Sequence, residues 1–339
     1  MDIRLIRWTL GISMPIETPE GRLRLTVLGG YLGSGKTTWL RHQLHAGTFG
    51  PNVHVIVNEA AETPVDDALL GKVTLLAGGC CCCAGRPALI SALRALCDDR
   101  SREGGARFDR IVLETSGLAD PAAIVAAIQA DPVLVNHILI GETLVAVDAL
   151  HALAQLASEP LGRRQVGAAD QLILTKTDAC APGDLAALQA TLAVLNPGAA
   201  ISAAVLGETV ALPPVPPGTM AAALPPLPEE DARGPILPTQ IEVDPSLDWS
   251  AFALWLSALL HARGDDLVRV KGVLRTPAGR LLLQTVRKVV QSPEILPETP
   301  DPGQDNRIVF IGRGYDPKDL TRSLYHFLGR PLPAALKPS

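Results

Sequence analysis

The stretch GYLGSGKT, Gly30 to Thr37, follows the spacing G-x-x-x-x-G-K-[ST]. Those residue types suit a phosphate cradle. Gly30, Gly33 and Gly35, with Ser34 between them, let the backbone curl until its N–H groups face phosphate oxygens. A helix that starts at such a loop adds the positive end of its dipole. Lys36 places a cation on the β- and γ-phosphates. The Thr37 hydroxyl is a hard oxygen suited to Mg2+, and Thr38 reaches for the α-phosphate.

Two further stretches complete a nucleotide site. LILTKTD puts Thr175, Lys176 and Asp178 at N-K-x-D spacing, with Thr175 in the Asn position. A carboxylate at Asp178 accepts both guanine N1–H and the exocyclic amine, a pair that adenine does not offer. The expected nucleotide is therefore GTP, with GDP as product, and the Lys176 stem packs along the base. A hydroxyl at Thr175 has fewer hydrogen-bonding sites than a carboxamide. The competing reading makes Asp178 the cap of the helix that follows. IVLETSGLADP puts Glu114 and Gly117 at the end of an apolar run, where a phosphate-loop protein needs a carboxylate near Mg2+. Glu114 is placed to act on that ion through water, and Gly117 to sense the γ-phosphate. Lys36, Thr37 and Glu114 are the expected catalytic set. Asn58, Glu59, Glu62 and Asp66 form an acidic stretch that reads as a switch loop or as plain solvated loop.

GGCCCC, residues 78 to 83, contains four of the six cysteines of the chain. Cys80, Cys82 and Cys83 stand at C-x-C-C spacing, and thiolates at that spacing converge on one soft cation when the loop is tight. Gly78 and Gly79 permit a tight loop. Zn2+ favours such tetrahedral sulfur ligation, and Co2+ tolerates it. Three protein ligands leave one position open, which suits transfer better than stapling. Two other readings stand beside this one: small hydrophobes on a buried strand, and a redox pair with Arg86 lowering a thiol pKa. Cys97 and Cys180 read as structural or incidental.

The elements that must hold these residues follow from the pattern. Short apolar runs (LRLTVLGG, NVHVIVNEA, KVTLLAGG, FDRIVLETSG, HILIGETLVAVDA, ADQLILTKTD) alternate with helical stretches such as KTTWLRHQLHAG, RPALISALRALCDD and PAAIVAAIQA. That alternation predicts an α/β fold, a mostly parallel sheet with helices on both faces and ligands at the strands' C-terminal ends. The expected organisation is a tail over 1–22, a phosphate-loop domain over 23–206, a proline-rich linker over 207–238, a small α+β domain over 239–330 and a tail over 331–339. Arg269, Lys271, Arg287 and Lys288 in the last domain read as a solvated face.

In combination these motifs resemble the CobW-type metal-binding GTPases, which include zinc chaperones. The resemblance runs from about Leu23 to Leu328. It rests on GYLGSGKTT, NEAAE…VDDALL, GGCCCC, ETSGLADP, LTKTD, LNP at Leu195 to Pro197, RVKGVL and NRIVFIGRG. It implies a GTPase domain of the P-loop NTPase fold followed by a smaller C-terminal domain. It also implies a C-x-C-C metal motif at Cys80, Cys82 and Cys83, with Cys81 where an apolar residue is usual. Seven scattered His and no His-rich stretch imply a single-site member.

The function expected is a GTP-hydrolysing carrier that binds Zn2+, with Co2+ or iron open, and delivers it to a client metalloprotein. The alternative is a redox-regulated GTPase switch that moves no metal. A small-molecule kinase is disfavoured by LTKTD and by the want of an arginine-rich lid. Turnover is expected to be slow, about 10⁻⁴–10⁻² s⁻¹, as for unaided G domains. A net charge of −5 excludes broad electrostatic binding to nucleic acid. No apolar run reaches the length of a membrane span. Cytoplasm, with reduced thiols, is the expected compartment, and the state is monomer or homodimer.

Overall fold

The computed structural model describes residues 21–58, 73–76, 85–102, 108–227, 236–264, 266–286, 289–290, 294–296, 298 and 305–332. The first unit is built on strands β1 (Leu23–Gly30), β2 (Val53–Val57), β3 (Val73–Leu75), β4 (Arg110–Glu114), β5 (Ile138–Asp148), β6 (Gln171–Thr175), β7 (Ala200–Val205) and β8 (Glu208–Val210). They pair in the order β3-β2-β4-β1-β5-β6-β7-β8. All neighbours are parallel except β8, which turns back on β7. Parallel strands are covered on both faces, which is why they read as unbroken apolar runs. Leu25, Val27, Leu28, Ile111, Val112 and Leu113 are all fully buried.

The crossovers are α1 (Lys36–His45), α2 (Arg86–Ser101), α3 (Pro121–Gln129), α4 (Leu134–His137), α5 (Ala152–Ser158), α6 (Pro160–Ala168) and α7 (Pro182–Leu195). Local chemistry sets their ends. Gly47, at φ +70°, follows the last residues of α1 in the left-handed conformation that closes helices. The Asp120 carboxylate accepts from the N–H groups of Ala122 at 3.0 Å and Ala123 at 3.4 Å, starting α3 ahead of Pro121.

The second unit is antiparallel: β9 (Ile236–Glu242), β10 (Leu267–Thr276), β11 (Gly279–Val286), β12 (Val289–Val290), β13 (Glu294–Leu296) and β14 (Arg307–Arg313). Its order is β12-β11-β10-β14-β9, with β13 on β11. Helices α8 (Trp249–Arg263) and α9 (Pro317–Phe327) pack Phe252, Trp255, Leu256, Leu320 and Leu324 against Val270, Leu283 and Phe310. Asp316 caps α9, accepting from Lys318 N–H at 2.8 Å. The proline-rich stretch between the units is strand at both ends, with β8 inside its start and β9 opening before Pro238. Pro238 sits on an edge strand, where its missing N–H costs least. The stretch also lies against the first unit: Leu227 is buried, and Arg163 Nη2 donates to Pro225 O at 2.6 Å.

The expected solvated face of the second unit is not solvated where the two units meet. Arg269 is 2% exposed. It donates to Ala168 O at 2.6 Å, to the Asp170 carboxylate, and to Gln284 Oε1 at 3.0 Å. Lys271 Nζ donates to Gly198 O at 2.9 Å and lies 3.8 Å from Asp170. Val268 and Ile311 join the apolar cluster of the first unit around Ala168 and Ile138. The alternation along β10 hid this, because its outer face is covered by another unit rather than by water. Arg287 and Lys288 lie outside the described residues.

Candidate functional site

At the end of β1 the backbone needs conformations that a side chain forbids. Gly30, Gly33 and Gly35 have φ of +133°, +72° and +82°. A Cβ on Gly30 would overlap Ala146 O, and one on Gly35 would touch Thr175. The loop closes with Ser34 N–H donating to Tyr31 O at 3.2 Å. Lys36, the first residue of α1, is buried and its Nζ donates to Tyr31 O at 3.0 Å, so the ammonium lies over the loop rim. The buried Ser34 Oγ has no hydrogen-bond partner among the described residues. Thr38 is exposed on the first turn of α1.

Glu114 ends β4, which lies beside β1 in parallel register, and is completely buried. The Thr37 hydroxyl donates to its carboxylate. Thr115 ties the next residue back to β1, its N–H donating to Leu28 O at 2.9 Å and its hydroxyl to the same oxygen at 3.1 Å. Gly117 then presses on the phosphate loop: a Cβ there would lie 2.6 Å from Leu32 N and 2.7 Å from Leu32 Cα. Gly29 is under the same constraint from Pro121 Cγ at 2.7 Å. The two loops are thus in backbone contact. Asn58, buried at the end of β2, joins them through its N–H to Glu114 O at 2.9 Å.

Thr175 ends β6 and is buried. Its hydroxyl donates to Ser34 O at 2.9 Å and lies 3.3 Å from Val147 O. Lys176 is one of three described non-glycine residues with positive φ, at +58°. That turn brings Nζ to 2.6 Å from Asp148 Oδ2. Asp148 also accepts from Leu150 N–H at 2.9 Å and faces His151 Nδ1 at 3.1 Å. Burial opposes its ionisation, but Lys176, His151 and the Leu150 N–H together hold the carboxyl below the usual range. Asp178 is exposed in a single 3-10 turn. The cap position of α7 belongs to Ala181, with no side-chain cap bond, so Asp178 does not serve that helix.

Asp148 is the residue sequence reading passed over. Its signal was available: a carboxylate closing the apolar run of β5, which the structure places beside β6 in register with Thr175. The cysteine run Cys80–Cys83, with Gly78, Gly79, Glu59, Glu62 and Asp66, lies outside the described residues. Among the described residues no group of three or more His, Cys, Asp or Glu is placed to hold a metal ion. Cys97 is buried on α2 and Cys180 is half-buried.

The residues present fit a magnesium nucleotide. The glycine cradle admits no Cβ at Gly30, Ser34 offers a buried hydroxyl, and Thr37 with Glu114 supplies paired hard oxygens. A parallel sheet with this loop on its central strand and an antiparallel second unit define a phosphate-loop GTPase with an appended domain. Comparison with known proteins agrees. Residues 24–203 match the model of the CobW/HypB/UreG nucleotide-binding domain, and 239–328 match that of the cobalamin synthesis protein cobW C-terminal domain. The chain belongs to the CobW-type family of metal-binding GTPases, and it is a GTPase.

Among its relatives are the zinc chaperone YjiA of Escherichia coli (strain K12) and the zinc chaperone CobW of Pseudomonas aeruginosa. The first is 32% identical over 309 residues, covering 86% of this chain and 94% of that protein. The second is 30% identical over 359 residues, covering 92% and 93%. The crystal structure of Zn(II)-bound YjiA GTPase from E. coli superposes with a TM-score of 0.59 at 26% identity, covering 90% of this chain and 99% of that one. No helix among the described residues is long and apolar enough to cross a membrane.

Proposed function

We propose that this GTPase is a nucleotide-gated carrier of a transition-metal ion, zinc before cobalt or iron. It takes the ion at Cys80, Cys82 and Cys83 and hands it to a client metalloprotein. The observation that carries the reading is topological. The cysteine run follows β3 in the chain, and β3 ends on the same side of the sheet as Glu114, with β2 between β3 and β4. The names of the zinc-chaperone relatives support the ion.

In this reading the N–H groups of the phosphate loop and Lys36 hold the phosphates, and Asp178 selects guanine. Thr37 and Glu114 would hold Mg2+, which would supply positive charge against the negative charge that develops on the phosphates. Gly117, packed on Leu32, senses the γ-phosphate, and the loop carrying Asp66 orders with it. That order brings the three thiolates together. Hydrolysis removes the γ-phosphate, relaxes both loops and frees the ion for the client.

The test is an anaerobic Co2+ titration of the reduced protein with Mg2+ and either a non-hydrolysable GTP analogue or GDP. A thiolate-to-cobalt band that is tighter with the analogue, and lost when Cys80, Cys82 and Cys83 are all replaced by Ser, is expected. Zn2+ competition gives the affinity, and metal must change the ratio of GTP-analogue to GDP affinity by the same factor. Equal metal affinity in both nucleotide states removes the gating. Absence of a band with a reversible disulfide among Cys80 to Cys83 turns the reading to the redox switch.

A further inference from the structure

We infer that Gln165 is a positioning residue for the loop facing the γ-phosphate, and that helix α6 lets the docked C-terminal unit set the rate of GTP hydrolysis. This rests on the reading of Gly117 given above. Gln165 is 2% exposed, in a place where an apolar side chain would pack without cost to a polar group. Its Nε2 donates to Ala119 O at 2.8 Å and to Gly117 O at 3.3 Å. Both bonds go to the loop that follows Glu114. Beside it, Arg164 Nε lies 3.8 Å from Asp120 Oδ2, and Asp120 caps the helix into which that loop runs.

The short bond to Ala119 anchors the loop. The long bond to Gly117 is the one that shortens or breaks when Gly117 shifts. Leu32 leaves Gly117 no room to move inward as the loops stand. A change in the position of α6 therefore reaches the γ-phosphate through one side chain.

The other end of the same helix belongs to the domain interface. A Cβ on Gly167 would lie 3.3 Å from Ile311 Cγ2 and 3.8 Å from Val268 Cγ1. Ala168 O accepts from Arg269 at 2.6 Å, and Asn196 Nδ2 holds Val166 O at 2.7 Å and Ala169 O at 2.9 Å. Within Arg164 to Asp170, the last turn of α6 and the two residues after it touch both the nucleotide loop and the second unit. A client that moves β10 or β14 moves Gln165.

Spatial connection is not coupling until a cycle measures it. The experiment uses the full chain with Gln165→Met, which keeps length and burial but loses the donor, Arg269→Met, the double variant, and Gly117→Ala. Bound-GTP hydrolysis is followed in single turnover, and GDP affinity by a fluorescent analogue. Gln165→Met is expected to slow hydrolysis about 10- to 100-fold, the size of a sub-ångström to 1 Å misplacement, with GDP affinity within about twofold, since GDP has no γ-phosphate to place. Arg269→Met is expected to slow hydrolysis in the parent and to add nothing in the Gln165→Met background.

Parental hydrolysis in Gln165→Met overturns the inference. So does a parallel loss of GDP affinity and urea resistance, which marks a merely structural amide. Multiplying effects in the double variant overturn the relay while leaving Gln165 in place. If Arg269→Met does not fold, Val268→Ala takes its position in the cycle. Parental hydrolysis in Gly117→Ala would instead sink the reading of that loop, so the two failures are distinguishable.

Discussion

The Thr175 hydroxyl donates to Ser34 O at 2.9 Å, joining the end of β6 to the phosphate loop across 141 positions of sequence. One buried hydroxyl thus performs a structural task at the place where guanine-binding motifs carry Asn. Its methyl group packs against Gly35, whose would-be Cβ lies 3.5 Å from Thr175 Cγ2. Thr175→Val keeps the shape and removes the donor. The buried Ser34 carbonyl then loses this donor, at about 1–3 kcal/mol. We expect fluorescent-GDP affinity to fall about tenfold, the equivalent of about 1.4 kcal/mol. An unchanged affinity in that titration would show that the loop holds its shape without the tie.

Asp178 is exposed and spends nothing on capping α7. Its carboxylate is thus available to two N–H donors of guanine. Asp178→Asn replaces one acceptor by a donor, which matches the C2 carbonyl of xanthine instead of the amine of guanine. Sites built on such pairs reject the mismatched ligand by up to about 10⁴-fold. GTP binding is expected to weaken by at least about 100-fold on that scale, with XTP becoming the better ligand. Competition between the two nucleotides in one assay decides it. A variant that still prefers GTP would place base recognition elsewhere.

How far the sequence led can be judged from individual residues. The strands β1 to β6 were legible because parallel strands buried on both faces are apolar, and Gly30, Gly33 and Gly35 carry a fixed spacing; β7 and β8, at the sheet edge, are poorer in large apolar residues and were not read. The pairings of Asp148, Gln165 and Arg269 were not legible. Their partners stand 28, 46 and 101 positions away in the chain. Local spacing contains no trace of such pairs; a buried Gln at an amphipathic helix position looks like a solvated one. Arg269 was misread for a related reason. Its place on an antiparallel strand predicts water on one face, and only the docking of two units puts Asp170 there.

That pair has a pH signature. Burial opposes ionisation of Asp170, but Arg269, Lys271 and the Thr143 N–H, at 2.8 Å, hold its carboxyl below the ordinary range. A depressed carboxyl contributes stability above the unfolded value near 3.9 and loses it as pH falls through the folded value. Asp170→Asn leaves the buried Arg269 charge uncompensated and is expected to cost about 3–5 kcal/mol at pH 7. As pH falls below about 4 the parent progressively loses the same contribution, so the gap between the two must narrow. Glu142, nearby, works in the opposite sense. Burial and the charge of Asp170 raise its carboxyl, so E142Q is expected to stabilise slightly at neutral pH. Urea midpoints measured from pH 3 to 8 read both effects. A gap of unchanged size from pH 8 down to pH 3 would mean that Asn, not the lost charge, disrupts the interface.

The bond between the Thr37 hydroxyl and Glu114 makes a prediction about the cation that can be read without hydrolysis. Both groups are hard oxygen donors, one on the first turn of α1 and one buried at the end of β4. Each has a separate consequence when removed. If Thr37 is the Mg2+ ligand proposed above, Thr37→Ala deletes it, and the increment that Mg2+ adds to GDP affinity should disappear. Affinity in EDTA should stay within about twofold of the parent, because Lys36 and the loop N–H groups still bind phosphate oxygens. Glu114→Gln keeps an oxygen and the hydrogen bond but removes the charge. It should therefore lower the Mg2+ increment partially and slow hydrolysis by about 100- to 1,000-fold, in line with the loss of one electrostatic group at a reacting centre. Titrating fluorescent GDP with and without Mg2+ separates these effects. If Thr37→Ala weakens GDP equally in EDTA and in Mg2+, the hydroxyl serves the phosphate rather than the ion. The pairing with Glu114 would then be a strut between two loops.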